Sequence, residues 1–136
     1  MKMNLLTPER KLVYQQEIEE VIVPAFKGEL NILPGHAPLV TTLTTGILRW
    51  RLKGSDVFEK AVVSGGYCEV FPSGVSILAD SADLANEVDQ SQAEKELQAV
   101  DQTLGTVSLN DEEWEKAQRE AARLRADLEL IGVKPH

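Results

Sequence analysis

From Leu48 to Lys53 the chain alternates strictly: Leu48, Trp50 and Leu52 are apolar, while Arg49, Arg51 and Lys53 are cationic. A period of two sends successive side chains to opposite faces, so this segment is predicted to be a strand with one face on a core and one in water. Val75, Ile77 and Ala79 repeat the pattern, and Glu20–Val23 and Val57–Val63 are rich in residues that suit a pleated surface. Breakers interrupt these runs at Gly28, Pro34-Gly35, Pro38, Gly46, Gly54-Ser55, Gly65-Gly66 and Pro72-Ser73-Gly74. Turn signals at such short spacing predict an all-β sandwich or barrel, with roughly 80 residues of antiparallel sheet.

The period changes near residue 87. Ala93, Leu97, Val100 and Leu104 recur at steps of four, three and four, which places them on one helix face. Asp89 is positioned to cap this helix, Gln92 to complete a capping box, and Gly105 to end it. Asn110 and Glu113 repeat the cap signature before Trp114, Ala117, Ala121, Leu124, Leu128 and Ile131, and Gly132 and Pro135 supply a stop. The short link predicts a helical hairpin. Its apolar stripes are thin and rich in alanine, so they bury little area. Two readings stand: a plain hairpin fixed on the sheet, or an element that moves or needs a partner.

Composition narrows the class. The chain has 136 residues, 43% of them apolar, and a net charge of −8, which fits one acidic globular unit with a small appendage. Residues 1–86 carry eight basic and ten acidic side chains, a net of −2; residues 87–136 carry six and twelve, a net of −6. The acidity therefore belongs mainly to the helical part. No apolar run approaches the ~20 residues of a spanning helix, and the first residues lack the features of a signal or transit peptide, so an intracellular chain is expected. A carboxylate excess without a Lys/Arg run argues against nucleic acid as a partner.

Candidate chemistry is sparse. No phosphate-cradling glycine motif occurs, and one cysteine with two histidines falls short of a structural zinc site, so neither a cofactor nor a metal is expected. Cys68 and His36 can be weighed as a nucleophile and base in a free-standing β-sandwich enzyme. Against that, Cys68 lies in the strand-like Tyr67–Phe71, with no helix start to lower its pKa. The carboxylate groups at Glu17–Glu20 and Asp111–Glu115 read as solvated faces, the second also favouring a helix N-terminus. Gly28–Val40 is unusual, since two glycines, two prolines and His36 sit among apolar residues. Pro34 and Pro38 restrict themselves and the residues before them, so the segment is stiff: either a docking surface that loses little entropy on binding, or a sheet corner.

Gly28-Glu29-Leu30-Asn31-Ile32-Leu33-Pro34-Gly35-His36-Ala37-Pro38-Leu39 resembles the GELGI-x-PGHAPL signature of the epsilon subunit of rotary F-type ATP synthases. Ser64-Gly65-Gly66-Tyr67-Cys68-Glu69-Val70, followed by Val75–Asp80, resembles that family's second block, in the same order and separation. The resemblance covers essentially the whole chain. It implies a β-sandwich of about ten strands over residues 1–86, a two-helix regulatory domain over 87–136, and a place in the central stalk at the cytoplasmic face of the membrane. The implied role is non-catalytic, coupling ion flow to ATP synthesis. The implied partners are the gamma subunit and the c-subunit ring, with Glu29 and His36 on the ring side.

The family's hairpin either folds against the sandwich or extends towards the alpha and beta subunits, where it inhibits ATP hydrolysis. Lys116, Arg119, Arg123 and Arg125 are then candidates to meet an acidic beta-subunit surface. The plainer reading pairs them with Glu112, Glu115, Glu120, Asp127 and Glu129 on their own helix. Some members bind ATP through a run like [IL]DxxRA. Here it reads Val88-Asp89-Gln90-Ser91-Gln92-Ala93, with Gln92 in place of the arginine, so weak or absent nucleotide binding is expected.

Overall fold

The computed structural model describes residues 1–106 and 108–133. Pro135, expected to help stop the last helix, lies outside them. Seven strands are seen among the described residues: β1 (Lys2–Leu6), β2 (Lys11–Ala25), β3 (Gly28–Ile32), β4 (Leu39–Thr42), β5 (Gly46–Leu52), β6 (Phe58–Phe71) and β7 (Gly74–Leu84). A 3-10 turn (Ala85–Glu87) leads to α1 (Gln90–Thr106) and α2 (Asp111–Leu130). The expected sandwich and terminal hairpin are both present. The strands are fewer than about ten because three of them are long and serve several neighbours.

The sheet closes on itself. Its order is β1-β7-β6-β5-β2-β3, and β1 also pairs with β2, while β4 pairs with β6. β2 pairs with β1 through Lys11–Glu17 and with β5 and β3 through Ile18–Ala25. Within the β1-paired stretch, at a shift of register, the backbone of Gln15 takes φ 52°, and its N–H donates to Asn4 Oδ1 at 2.7 Å. Such an irregularity bends a strand and lets one segment turn towards a second partner. β6 does the same, pairing with β5 over Phe58–Val63 and with β4 over Tyr67–Val70. The switch falls at Gly65 and Gly66, at φ 71° and 96°, where a side chain on Gly66 would meet Leu78 O at 2.0 Å. Only glycine fits there. β1 runs parallel to β7, so the sheet departs from the all-antiparallel expectation at that one pairing.

The alternation read from the sequence points inward as expected. Leu48, Trp50, Val75, Ile77 and Ala79 are buried in the sandwich core with Met3, Leu5, Ile18, Val21, Ala61 and Val63. Arg49 and Arg51 are half-buried on the outer face, each in an ion pair: Arg49 with Glu29 at 2.6 Å and Arg51 with Glu20 at 3.1 Å.

The helices are capped much as the sequence indicates. Asn110 Oδ1 accepts from Glu113 N–H at 2.8 Å, and Glu113 returns a bond to Asn110 N–H, a complete capping box. Asp89 Oδ1 accepts from Gln92 N–H at 3.0 Å, but the Gln92 amide donates to Glu96 instead of closing a box. Gly105 also differs from expectation: it lies within α1, which runs to Thr106 without a left-handed residue at Gly105. α2 does end on glycine. Gly132 has φ 86°, its N–H bonds to Glu129 O at 3.0 Å, and Val133 N–H bonds to Leu128 O at 2.9 Å, a Schellman closure.

The hairpin has its own small cluster, made of Ala93, Leu97, Ala121, Leu124 and Leu128. Trp114, expected on that stripe, stands 51% exposed in the first turn of α2. The hairpin lies against the sandwich, with α2 packed on β6 and β5. Val62 and Ala126 are buried although neither belongs to the sandwich core or to the hairpin cluster. They lie at the seam between the two packed units.

Candidate functional site

The stiff segment forms where the sequence places it. His36 N–H donates to Leu33 O at 3.1 Å, with Pro34 and Gly35 between them and Gly35 at φ 85°, the arrangement of a type II turn. His36 is half-buried and its Nδ1 lies 2.8 Å from Ala37 O. Glu29 is the second residue of β3, exposed and bonded to Arg49. Glu29 and His36 are thus separated by most of β3. His36 lies in the β3–β4 connection, four residues past the end of β3, whereas Glu29 pairs with Pro24 beside the β2–β3 turn. Beside Glu29 a groove of about 450 Å³ opens between the β2–β3 turn and β4, with Phe26 71% and Val40 68% exposed at its walls. Two bulky apolar side chains at one sheet end are a patch with contact potential.

The cysteine and histidine weighed as a catalytic pair occupy unrelated environments. Cys68 is fully buried, opposite Thr41 and Ile77 in the sheet, and burial pushes its thiol up to about 12. A thiol so disfavoured as thiolate is a poor nucleophile. It packs as a small core residue.

The four cations of α2 divide into two pairs. Lys116 and Arg119 are exposed, with no ion pair among the described residues. Arg125 Nη2 bonds to Asp101 of α1 at 2.9 Å. Arg123 is the hub: Nη1 reaches Asp83 of β7 at 3.1 Å and Asp127 at 3.0 Å, while Nη2 bonds to Glu120. The bond to Glu120 above all raises the Arg123 pKa further, keeping it charged. Arg123 therefore pairs within its helix, as the plainer reading held, and also ties the helix to the sandwich.

A second tie lies nearby. Arg10, in the β1–β2 connection, forms a fork with the Glu87 carboxylate and donates to Ala82 O at 2.8 Å. With Leu84 N–H as a further donor, the Arg10 fork holds Glu87 down to about 2.

Val88, Asp89, Gln92 and Ala93 of the segment Val88–Ala93 line a cleft of about 160 Å³ between hairpin and sandwich. Asp83, Glu87, Asp89, Glu96 and Asp127 bring five carboxylates to it, against the single guanidinium of Arg123. Asp83 and Asp127 were not singled out as site residues from the sequence. Asp127 had a signal: it stands three residues after Leu124, on the stripe that packs inward, and is buried at 4% exposure.

The described residues form a closed, bent β-sandwich carrying a helical hairpin. Residues 1–85 match the family model of the ATP synthase delta/epsilon chain beta-sandwich domain. The chain is 47% identical over 135 residues to the ATP synthase epsilon chain of Bdellovibrio bacteriovorus, covering 99% of this chain and 96% of that one. With the epsilon chain of Halalkalibacterium halodurans the identity is 35%, covering 97% of both. The protein belongs to the ATP synthase delta/epsilon chain family. Its fold is shared by a chain in the Euglena gracilis mitochondrial ATP synthase OSCP/F1/c-ring structure (TM-score 0.80, 22% identity, 95% of this chain and 79% of that one). A chain of the Tetrahymena thermophila ATP synthase central stalk/c-ring structure is likewise similar (TM-score 0.69, 17% identity, 96% of each).

Proposed function

We propose that this protein is the epsilon chain of a rotary ATP synthase: a non-catalytic central-stalk subunit that couples ion flow to ATP synthesis and restrains ATP hydrolysis through its hairpin. The observation that carries the reading is the near full-length likeness to epsilon chains, hairpin included. Residues 1–86 bind the gamma subunit and the c-ring; residues 87–136 regulate. Association with the membrane, at its cytoplasmic face, runs through the complex, since no helix among the described residues is long and apolar enough to cross it.

On the ring side, Glu29 stands next to the exposed Phe26 and Val40, and His36 follows the type II turn beyond the other end of β3. The type II turn and the Glu29–Arg49 bond stiffen this segment, which suits a contact that transmits torque. In the hairpin, Lys116 and Arg119 are already exposed to meet an acidic surface of the alpha and beta subunits, whereas Arg123 and Arg125 must first leave their present partners. Extension thus exchanges internal ion pairs for intermolecular ones.

The cleft at Val88–Ala93 disfavours ATP, because a polyphosphate would face five carboxylates and only one cation. Calorimetry on the subunit is expected to detect no micromolar ATP binding. The main test is deletion of residues 87–136 in the assembled enzyme. Increased ATP hydrolysis is expected; unchanged hydrolysis by a fully assembled complex defeats the restraint. Co-purification with gamma, lost on disrupting the sandwich, checks the stalk assignment.

A further inference from the structure

The seam between hairpin and sandwich holds an arrangement that the helix stripe alone does not require. Asp127 is 4% exposed, its Oδ2 accepts from Arg123, and its Oδ1 is buried with no hydrogen-bond partner among the described residues. Asp83, reaching in from β7, competes for the same Arg123 nitrogen. Glu120 takes the other end of the guanidinium. Three carboxylates thus surround one cation, and with all of them ionised the cluster buries excess negative charge. Burying unpaired charge is costly, and the commonest relief is to take up a proton.

The surroundings supply no other relief. From α1, Asp89 and Glu96 line the same cleft, and both are anionic. From the 3-10 turn comes Glu87, whose charge is already matched by Arg10. β5 and β6, on which α2 also packs, put no charged side chain into the cleft among the described residues. Arg10 also acts on Asp83 from outside the cleft, through its place beside Ala82 and Glu87, but Arg123 is the one cation that lines the cleft among the described residues.

We propose that Asp83, Arg123 and Asp127 form a proton-operated latch, which holds the hairpin against the sandwich while Asp127 is protonated and loosens it when Asp127 ionises. A proton on Asp127 gives the orphaned side chain a donor for Asp83, turning repulsion between two carboxyls into a hydrogen bond. Once the hairpin leaves, Asp127 is solvated and Asp83 is distant, so the same proton is lost easily.

The sign and window follow. Burial first, and then the charge of Asp83, push the docked Asp127 carboxyl up to about 7, from an ordinary value of 3.8. Both states bind the proton below about 4, and neither does well above 7, so docking weakens as pH rises between those limits and is weakest on the alkaline side. Between pH 6 and pH 8 the docked-to-undocked ratio falls about tenfold by this linkage.

The inference rests on the reading of the hairpin as a movable regulatory element, and the test separates the two. Spin labels are placed on the full-length subunit at Lys53→Cys in the sandwich and Gln118→Cys on the exposed side of α2, with Cys68 buried and unreactive. The distance distribution is recorded from pH 6 to pH 8. Where the undocked fraction is small, amide exchange of α1 and α2, corrected for intrinsic rates, reads the same ratio. The expected result is a roughly tenfold fall in docking with rising pH, abolished in Asp127→Asn, which stays docked throughout. Asp83→Asn moves the midpoint to lower pH. A wild-type ratio constant within about twofold over this range overturns the latch. So does an Asp127→Asn variant that follows pH as wild type does. If docking tracks pH while deleting residues 87–136 leaves hydrolysis unchanged, the brake falls and the latch stands. The reverse pair of results removes the latch and keeps the brake.

Discussion

The sandwich and the hairpin differ in what holds them. The sandwich core gathers eighteen buried apolar residues, from every strand but β4 and from Leu43 just after it, and its sheet closes through β1. The hairpin cluster has five, two of them alanine, and leans on the sandwich through a narrow seam and the ion pairs of Arg123. At roughly 25 cal/mol per Å² of apolar burial, the first is a stable body and the second a marginal one. Regions that must move are drawn from the low-stability end of a structure. The contrast suits the proposed role, in which a stiff body carries torque and a hairpin that switches is held by little.

This contrast can be broken from either side. Leu48→Ala leaves a cavity in the fully buried sandwich core and is expected to cost about 2–5 kcal/mol of global stability, measured by denaturant unfolding. An effect below about 1 kcal/mol would mean that the two regions are held about equally. Next in size is Arg123→Ala, which strands Asp83 and Asp127 without their cation. Since Arg123 keeps some exposure, a loss of about 1–2 kcal/mol is expected, confined to docking and read as faster amide exchange in α1 and α2 with the β-strands unchanged. Equal exchange in both regions would show one cooperative unit.

A smaller effect is expected at the second tie. Glu87→Gln weakens the fork with Arg10 and, because the pair is partly solvated, should cost no more than about 1 kcal/mol. The Glu87 carboxyl is held below its ordinary 4.5, so its contribution is present above that value and is lost as pH falls through about 4.5 towards 2. The latch runs in a different window and in the opposite sense, since it holds with its carboxyl protonated whereas the Glu87 tie holds with its carboxyl ionised. Acid weakens the Glu87 tie below pH 4.5, while docking through Asp127 strengthens as pH falls from 7. A docking optimum between these ranges would sharpen the picture; a monotonic profile from pH 3 to 8 would remove one of the two ties. Smallest of all, Trp114→Ala should change stability by less than about 0.5 kcal/mol, as the residue is 51% exposed and belongs to neither core cluster.

Much of this division can be read along the chain. Alternation at Leu48–Lys53 and Val75–Ala79 depends only on pleat geometry, and it points each side chain where the structure has it. The Asn110–Glu113 cap and the Gly132 stop are local, set by backbone groups within one turn. Gly28–Leu39 announces a stiff turn because proline and glycine act on their own dihedrals. Less legible is how far a strand runs. Nothing in the residues of β2 and β6 says that each continues through a bend and changes partner, since pairing is a property of two segments distant in sequence. Gln92 shows the same limit at short range: its amide donates to Glu96 one turn further on instead of folding back to accept from the Asp89 N–H.

The sequence by itself determined the two-part layout, the inward faces of strands and helices, and the concentration of negative charge in the hairpin. These follow from side-chain periodicity, dihedral preferences and simple counting, none of which needs a partner segment. Only the tertiary structure decided that the sheet closes through a parallel β1–β7 pair, that α2 lies on β5 and β6, and that Asp127 is buried against Asp83 with one arginine between them. Each of these depends on bringing together groups far apart in the chain, and a carboxylate's charge state depends on what surrounds it in space. The acidic tail seen in the residue count thus becomes, once folded, a small number of carboxyl groups with distinct affinities for protons.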